Sequence, residues 1–358
     1  MKYICCSHTG ALGGAELALA ELVQCLSNEG QVLLTMPNQG AFRDYMQHLG
    51  VSNVEIKDWA LWMQQDFTIK RRLKCLIKLW KGFRECLSFF RTEQPNIVIV
   101  NTISSPLPLL AAKWLHIPSV VFIHEVGGFG VYRFLFGETI TKRLIGKWAT
   151  HIVFKQYQRY IPEQRMSVIY QPINILPIAK LPHKHYTIGC VGVLSPQKNY
   201  EFLLHAISSL PDDVHCRIAG FCGNEYGDSM KRLCEQLGIA NRVEWLSVVR
   251  DMSAFYASID VLVACGKQEA LGRSIIEAMK CQTVVIVSNE GGYRELVSDN
   301  ETGFIYTADD ETDFLRVRYF PAETLSQIQT NAEKFAQNTF SKDNFCTSFM
   351  QVVRSIIQ

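Results

Sequence analysis

Short, nearly continuous apolar runs alternate along this chain with longer stretches in which apolar residues recur at helical spacing. In the first half the runs are "YICCS", "QVLLTM", "NIVIVN", "SVVFIH" and "HIVFK". Runs of this length, rich in β-branched residues and separated by helical segments, are the pattern of strands buried on both faces of a parallel sheet with crossover helices. The pattern stops at "QPINILPIAKLPHKHY", which has three prolines and no helical period, and so reads as a connection. It restarts with "TIGCVGVL", "HCRIAGF", "RVEWLSVV", "VLVAC" and "TVVIVS". The second half thus repeats the architecture of the first. The expected fold is α/β, with two doubly wound, Rossmann-like domains facing each other and a ligand cleft at the carboxyl ends of the strands. The expected boundaries are 1–172 for the first domain, 173–186 for the linker and 187–340 for the second domain, with a helix over 341–358 packing back on the first.

Composition narrows this picture only a little. A length of 358 residues suits two domains of ordinary size, and 48% apolar with 20% charged residues is the balance of a globular protein. A formal charge of +2 gives no general attraction to nucleic acid, and no DNA- or RNA-binding module is visible, so no nucleic-acid partner is expected. Twelve cysteines without a CxxC pair read as buried free thiols in a reducing compartment. The opening "MKYICCSH" turns polar too soon for a signal peptide, and no run reaches the ~18 apolar residues that would span a bilayer. A cytoplasmic protein is the expectation.

The clearest chemistry lies in "KQEALGRSIIEAM", from Lys267 to Met279. "IDVLVACG" before it reads as a strand and turn, and "GRSIIEAMK" as a helix starting near Gly272. Glu269 then stands on the loop and Glu277 on the helix. Unpaired backbone N–H groups at Gly272, Arg273 and Ser274 would seat a diphosphate. Carboxylates flanking an anion site are poor ligands for the anion but strong acceptors for hydroxyls, one set on a sugar and one on a ribose. A solvated loop Glu and a solvated helix Glu are the alternative.

Taken together, "GGAELALAELV", "FIHE", "VGVLSPQKNYEFLLHAI", "IAGFCGNEY", "EALGRSIIEAM" and "EGGYRELVSDNETGFIY" resemble, in order and spacing, the retaining glycosyltransferases of the GT-B fold. The resemblance is to family 4, whose mark is Glu-x7-Glu followed by a Gly-Gly turn, and it covers nearly the whole chain. It implies that Glu277 holds the ribose of a nucleotide diphosphate sugar and that Glu269 touches hydroxyls of the transferred sugar. It places Gly13 and Gly14 where backbone approaches the donor phosphates and acceptor, Lys198 against the leaving diphosphate, and His124 near the sugar and acceptor. A plain tight turn, a solvated lysine and a structural histidine are the corresponding bland readings. Where the family usually writes Gly-Arg-Leu, this chain has Gly192-Val193-Leu194. A phosphate-binding cation is absent there; Arg273 either supplies the charge from the other side or is a surface residue.

No Asp-x-Asp follows a strand and the nine histidines lack zinc spacing, so no metal site and no cofactor beyond the donor substrate is expected. The resemblance further implies transfer with retention, through same-face attack. Between Lys70 and Arg91 the chain carries eight basic residues against Glu85, interleaved with Leu, Ile, Trp and Phe. Lys70, Arg71, Arg72, Lys74 and Lys78 would suit an anionic membrane surface and a lipid-linked glycan acceptor in surface polysaccharide, lipopolysaccharide, capsule or glycolipid synthesis. An ordinary solvated helix face is the alternative. Two other functions stay open: a sugar-nucleotide epimerase or hydrolase on the same architecture, and a catalytically silent nucleotide- or membrane-binding partner.

Overall fold

A computed structural model describes residues 1–64, 68–123, 133–153, 162–267, 269, 271–316 and 322–357. The chain divides into two compact units, Met1–Pro172 with Lys342–Gln358, and Ile173–Ser341.

In the first unit the strands are β1 (Lys2–Cys6), β2 (Gln31–Met36), β3 (Val54–Ile56), β4 (Met63–Gln64), β5 (Ile97–Val100), β6 (Ser119–Phe122), β7 (Arg133–Phe134), β8 (His151–Val153) and β9 (Met166–Ser167). Seven of them form a sheet in the order β3-β2-β1-β5-β6-β8-β9, and its pairings are parallel. The central strands are almost wholly buried, as their unbroken apolar runs require when helices cover both faces. Those helices are α1 (Gly14–Ser27), α2 (Ala41–His48), α3 (Ile69–Glu93), α4 (Leu107–Trp114) and α5 (Glu138–Trp148).

The second unit repeats the plan with β10 (Tyr186–Val191), β11 (Val214–Ala219), β12 (Val243–Ser247), β13 (Val261–Ala264), β14 (Val284–Ser288) and β15 (Phe304–Tyr306). Its parallel sheet runs β12-β11-β10-β13-β14-β15. Its helices are α6 (Tyr200–Ser208), α7 (Glu225–Gln236), α8 (Met252–Ala257), α9 (Arg273–Lys280), α10 (Tyr293–Leu296), α11 (Glu311–Arg316) and α12 (Ala322–Thr339). Strand order departs from β10 in one direction and from β13 in the other, so the crevice at their carboxyl ends is the topological switch point where such sheets bind ligands.

Three features differ from the sequence reading or add to it. The stretch 173–186 is laid along the second unit: Ser253 donates to the Leu176 carbonyl at 2.7 Å, the Leu181 N–H to Ala257 at 2.9 Å, and Lys180 to Ile259 at 2.7 Å. The last helix, α13 (Lys342–Ile357), sinks Phe345, Phe349 and Val353 into the core of the first unit, where Phe349 meets Phe122 with ring centroids 5.5 Å apart. Finally, the cysteines are not all free. Cys25 of α1 and Cys346 of α13 form a disulfide, whereas the other ten are thiols.

One buried group makes the first unit acid-sensitive. His151 is 5% exposed, 2.9 Å from the Ser167 hydroxyl, and burial, aided by the Arg165 charge, pulls its pKa down to about 4. Because this lies below the unfolded value of about 6.5, the unfolded state takes up a proton that the folded state refuses. Stability is therefore level above about pH 6.5 and falls between there and pH 4, by about 3 kcal/mol in all at ~1.4 kcal/mol per pH unit. Urea unfolding at pH 7.5 and pH 5 should show the loss, and His151→Gln should flatten it. An unchanged pH slope in His151→Gln would contradict the assignment.

Candidate functional site

The switch point of the second unit gathers most of the residues singled out in the sequence. After β10 the chain passes Gly192 and Leu194 and closes a short 3-10 turn, Pro196–Lys198. After β13 it passes Gly266 and Lys267 to Glu269 and then enters α9. The two loops are tied together: the Lys267 N–H donates to the Gln197 carbonyl at 3.0 Å, and the Cys265 thiol to the Lys198 carbonyl at 3.2 Å. Across this seam the Lys198 ammonium and the Glu269 carboxylate form an ion pair, with about a third of the lysine side chain and a quarter of the glutamate exposed. An ammonium and a carboxylate held side by side at the edge of solvent can be parted by a ligand that offers each a better partner.

Glu269 is fixed from behind by the following Gly-Gly turn. The Gly292 N–H donates to the Glu269 carbonyl at 2.9 Å. Gly291 has a φ of +62°, and a Cβ there would lie 2.8 Å from the Glu269 carbonyl oxygen and 2.9 Å from its nitrogen. Only glycine fits both constraints. Gly291→Ala should therefore destabilise the unit by about 1 to 3 kcal/mol and displace the Glu269 loop. A denaturant midpoint equal to that of the unaltered protein would refute this.

Gly272 caps α9 with a φ of +74°, and Tyr293 and Ile275 pack where a side chain would stand. The first helical turn begins there with the N–H groups of Arg273 and Ser274, while the Ile275 N–H donates to the Gly272 carbonyl at 3.0 Å. On the next turn, Glu277 accepts the Tyr256 hydroxyl at 2.9 Å. Burial raises the pKa of this carboxyl, offset in part by the Tyr256 bond and then by the charge of Arg273. Arg273 stands four residues before Glu277 on the same helix, so part of its charge is spent on that carboxylate. One Glu277 oxygen is engaged by Tyr256, and a carboxylate can accept several further bonds. Val193, in the position of the absent arginine, is 56% exposed.

The remaining predicted residues belong to the first unit. Gly13 caps α1 and Gly14 opens it, with open space around the Gly14 Cα. Glu16, two residues on, is buried with its carboxylate 3.4 Å from both the Ser7 hydroxyl and the His8 ring, and burial raises its pKa. His124 lies outside the described residues. Lys70, Arg71, Arg72, Lys74 and Lys78 are all exposed on α3. Among the described residues, no three or more His, Cys, Asp or Glu side chains are grouped as metal ligands would be. Tyr256 escaped the sequence reading because nothing in "AFYASID" sets it apart from an ordinary core tyrosine, and the Gly-Gly turn was legible only as a motif.

The chain is similar in sequence and in fold to known proteins. Residues 174–317 match the model of the family described as glycosyl transferases group 1. The lipopolysaccharide core biosynthesis mannosyltransferase LpcC of Rhizobium leguminosarum bv. viciae is 30% identical over 136 residues, 36% of this chain and 38% of that protein. An uncharacterized glycosyltransferase of Methanocaldococcus jannaschii is 27% identical over 217 residues, 54% of this chain and 55% of that one. The chain thus spans about half the length, or less, of these curated relatives. Among solved structures, Anabaena HepE in complex with UDP and glucose superposes with a TM-score of 0.79 at 20% identity, over 99% of this chain and 100% of that one. Residues 174–317 are thus similar to glycosyl transferases group 1, and the chain's two Rossmann-like sheets have the GT-B fold.

Proposed function

We propose that the protein is a retaining glycosyltransferase of family 4 that moves a sugar from a nucleotide diphosphate sugar to a glycan acceptor, in the synthesis of a surface polysaccharide or glycolipid. The observation that carries this reading is the Lys198–Glu269 ion pair at the β10/β13 switch point, with Glu277 one helical turn beyond the start of α9. In this reading the diphosphate seats on the N–H groups after Gly272 and takes Lys198 as its counter-ion. Glu269, released from Lys198, accepts hydroxyls of the sugar, and Glu277 accepts those of the ribose. The charge that develops on the leaving diphosphate is met by a positioned ammonium and backbone dipoles, without a metal or a cofactor. The resemblance gives Gly13 and Gly14 to the donor phosphates and acceptor and His124 to the sugar and acceptor, and in this reading the leaving phosphate assists deprotonation of the attacking hydroxyl. The basic face of α3 supports a lipid-linked acceptor presented at an anionic membrane, and with it a peripheral position on the cytoplasmic membrane face.

The kinship with a mannosyltransferase of lipopolysaccharide core synthesis, and the UDP and glucose bound by HepE, support a nucleoside diphosphate donor. The exposed Val193 favours one second reading, a partner that binds nucleotide without turnover. Thermal unfolding with a panel of nucleoside diphosphate sugars tests the first step. At a hundred times Kd a bound donor adds about 2.7 kcal/mol, a rise of several degrees in Tm. The matching nucleoside diphosphate should also stabilise. Indifference to every nucleotide sugar would sink the proposal, and binding without sugar transfer would leave the silent partner.

A further inference from the structure

Helix α3 presents three distinct faces. Cys75, Gly82, Cys86 and Phe90 are buried against the first unit. A second set, Ile69, Leu73, Leu76, Ile77 and Trp80, is apolar and yet exposed, from 45% at Leu76 to 87% at Ile69. At 3.6 residues per turn these five fall within about 100° of the helix circumference, so they form one continuous stripe. Lys70, Lys74, Lys78 and Lys81, all exposed, line its flank. Trp114 of α4, 64% exposed and edge-on to Phe83 with centroids 6.2 Å apart, widens the apolar surface. The Arg84 guanidinium lies 5.0 Å from the Trp80 ring centroid, at the border between stripe and charge.

An ordinary domain helix buries its apolar stripe and solvates its charges, and α3 already buries one face in that way. The second stripe is therefore surplus to folding, and a contiguous exposed apolar surface of this kind marks an interaction site. The partner must accept an apolar ridge and a row of cations side by side. A local charge of +7 between Lys70 and Arg91, eight basic residues against Glu85, fits an anionic surface, and a tryptophan beside arginine and lysine is suited to the boundary between headgroups and acyl chains. We infer that α3 is an in-plane membrane anchor whose Leu73, Ile77 and Trp80 enter the acyl boundary of an anionic bilayer while its lysines engage the headgroups. The inference deepens the proposed membrane-side transfer and rests on that reading. It changes the mode of attachment from attraction alone to insertion, which salt cannot fully reverse.

Sedimentation of the whole protein with phosphatidylcholine vesicles, with and without phosphatidylglycerol, at low and at high salt tests it. The wild-type protein should bind the anionic vesicles at low salt and keep part of that binding at high salt. Leu73→Ser, Ile77→Ser and Trp80→Ser combined should weaken binding by at least roughly tenfold at low salt with every cation in place. Lys70→Gln, Lys74→Gln and Lys78→Gln combined should weaken it at low salt and reduce the preference for anionic lipid, the local charge falling from +7 to +4. Brominated lipid should quench tryptophan fluorescence more in wild type than in Trp80→Phe. Vesicle binding by the serine variant equal to wild type would overturn the inference, as would wild-type indifference to vesicles. So would a wild-type dimer that the serine variant disperses, because the stripe would then join two copies of the chain. Stabilisation by nucleotide sugar, measured on the same samples, reports the second unit separately, so failure of the anchor is distinguishable from failure of the donor site.

Discussion

Lys198→Ala is expected to lower turnover by roughly a hundred- to a thousandfold, the range observed when one positioned stabiliser of developing negative charge is lost. The leaving diphosphate forfeits the ammonium that Lys198 otherwise pairs with Glu269. This loss falls on the bound complex as charge develops, so kcat should fall much more than KM rises. Folding should hardly change, since an ion pair with both partners partly exposed contributes only about 0 to 1 kcal/mol. Single-turnover transfer assays on Lys198→Ala, with its Tm as the control, decide this. Turnover within threefold of wild type at an unaltered Tm would remove Lys198 from the mechanism.

Glu277→Ala is expected to act differently, weakening the donor and the free nucleotide alike by about 1.5 to 3 kcal/mol, or roughly ten- to a hundredfold, through lost hydrogen bonds to a charged acceptor. Tyr256→Phe should weaken donor binding less, because the hydroxyl at 2.9 Å only holds the carboxylate in place. Burial raises the Glu277 pKa, so donor binding should decline on the acid side sooner than for an exposed carboxylate. Equilibrium dialysis of the nucleotide with each variant separates the two roles. Equal losses for Tyr256→Phe and Glu277→Ala would mean that Tyr256, too, contacts the nucleotide.

Strands β1, β2, β5, β6, β8, β10, β11, β13 and β14 were legible because their apolar runs announce burial, and the edge strand β12 was legible from its β-branched and aromatic residues although only Val243 is buried. β3, β4, β7, β9 and β15 have two or three residues each and owe their form to the strand beside them, which no local pattern records. The stretch 173–186 reads as a connection because it lacks periodicity, yet its backbone groups are satisfied by Ser253 and Lys280 from far along the chain. The Cys25–Cys346 disulfide joins positions 321 residues apart, a separation over which spacing carries no information. In α3, apolar residues at helical spacing say that a helix has apolar faces but not which one the sheet covers. At the site, Glu269, Glu277 and Lys198 stood out through a motif. Tyr256 and the bond from the Gly292 N–H to Glu269 are tertiary facts, visible only once β13 and β14 lie side by side.

Titration calorimetry of the best-stabilising nucleoside diphosphate into wild type, Glu277→Ala and Lys198→Ala tests the central claim most directly, since product affinity does not depend on knowing the acceptor. Tight one-to-one binding to the unaltered protein, weakened roughly tenfold or more in each variant at unchanged Tm, is the predicted result. Binding of equal strength in all three proteins would contradict the account and place the nucleotide away from the β10/β13 switch point.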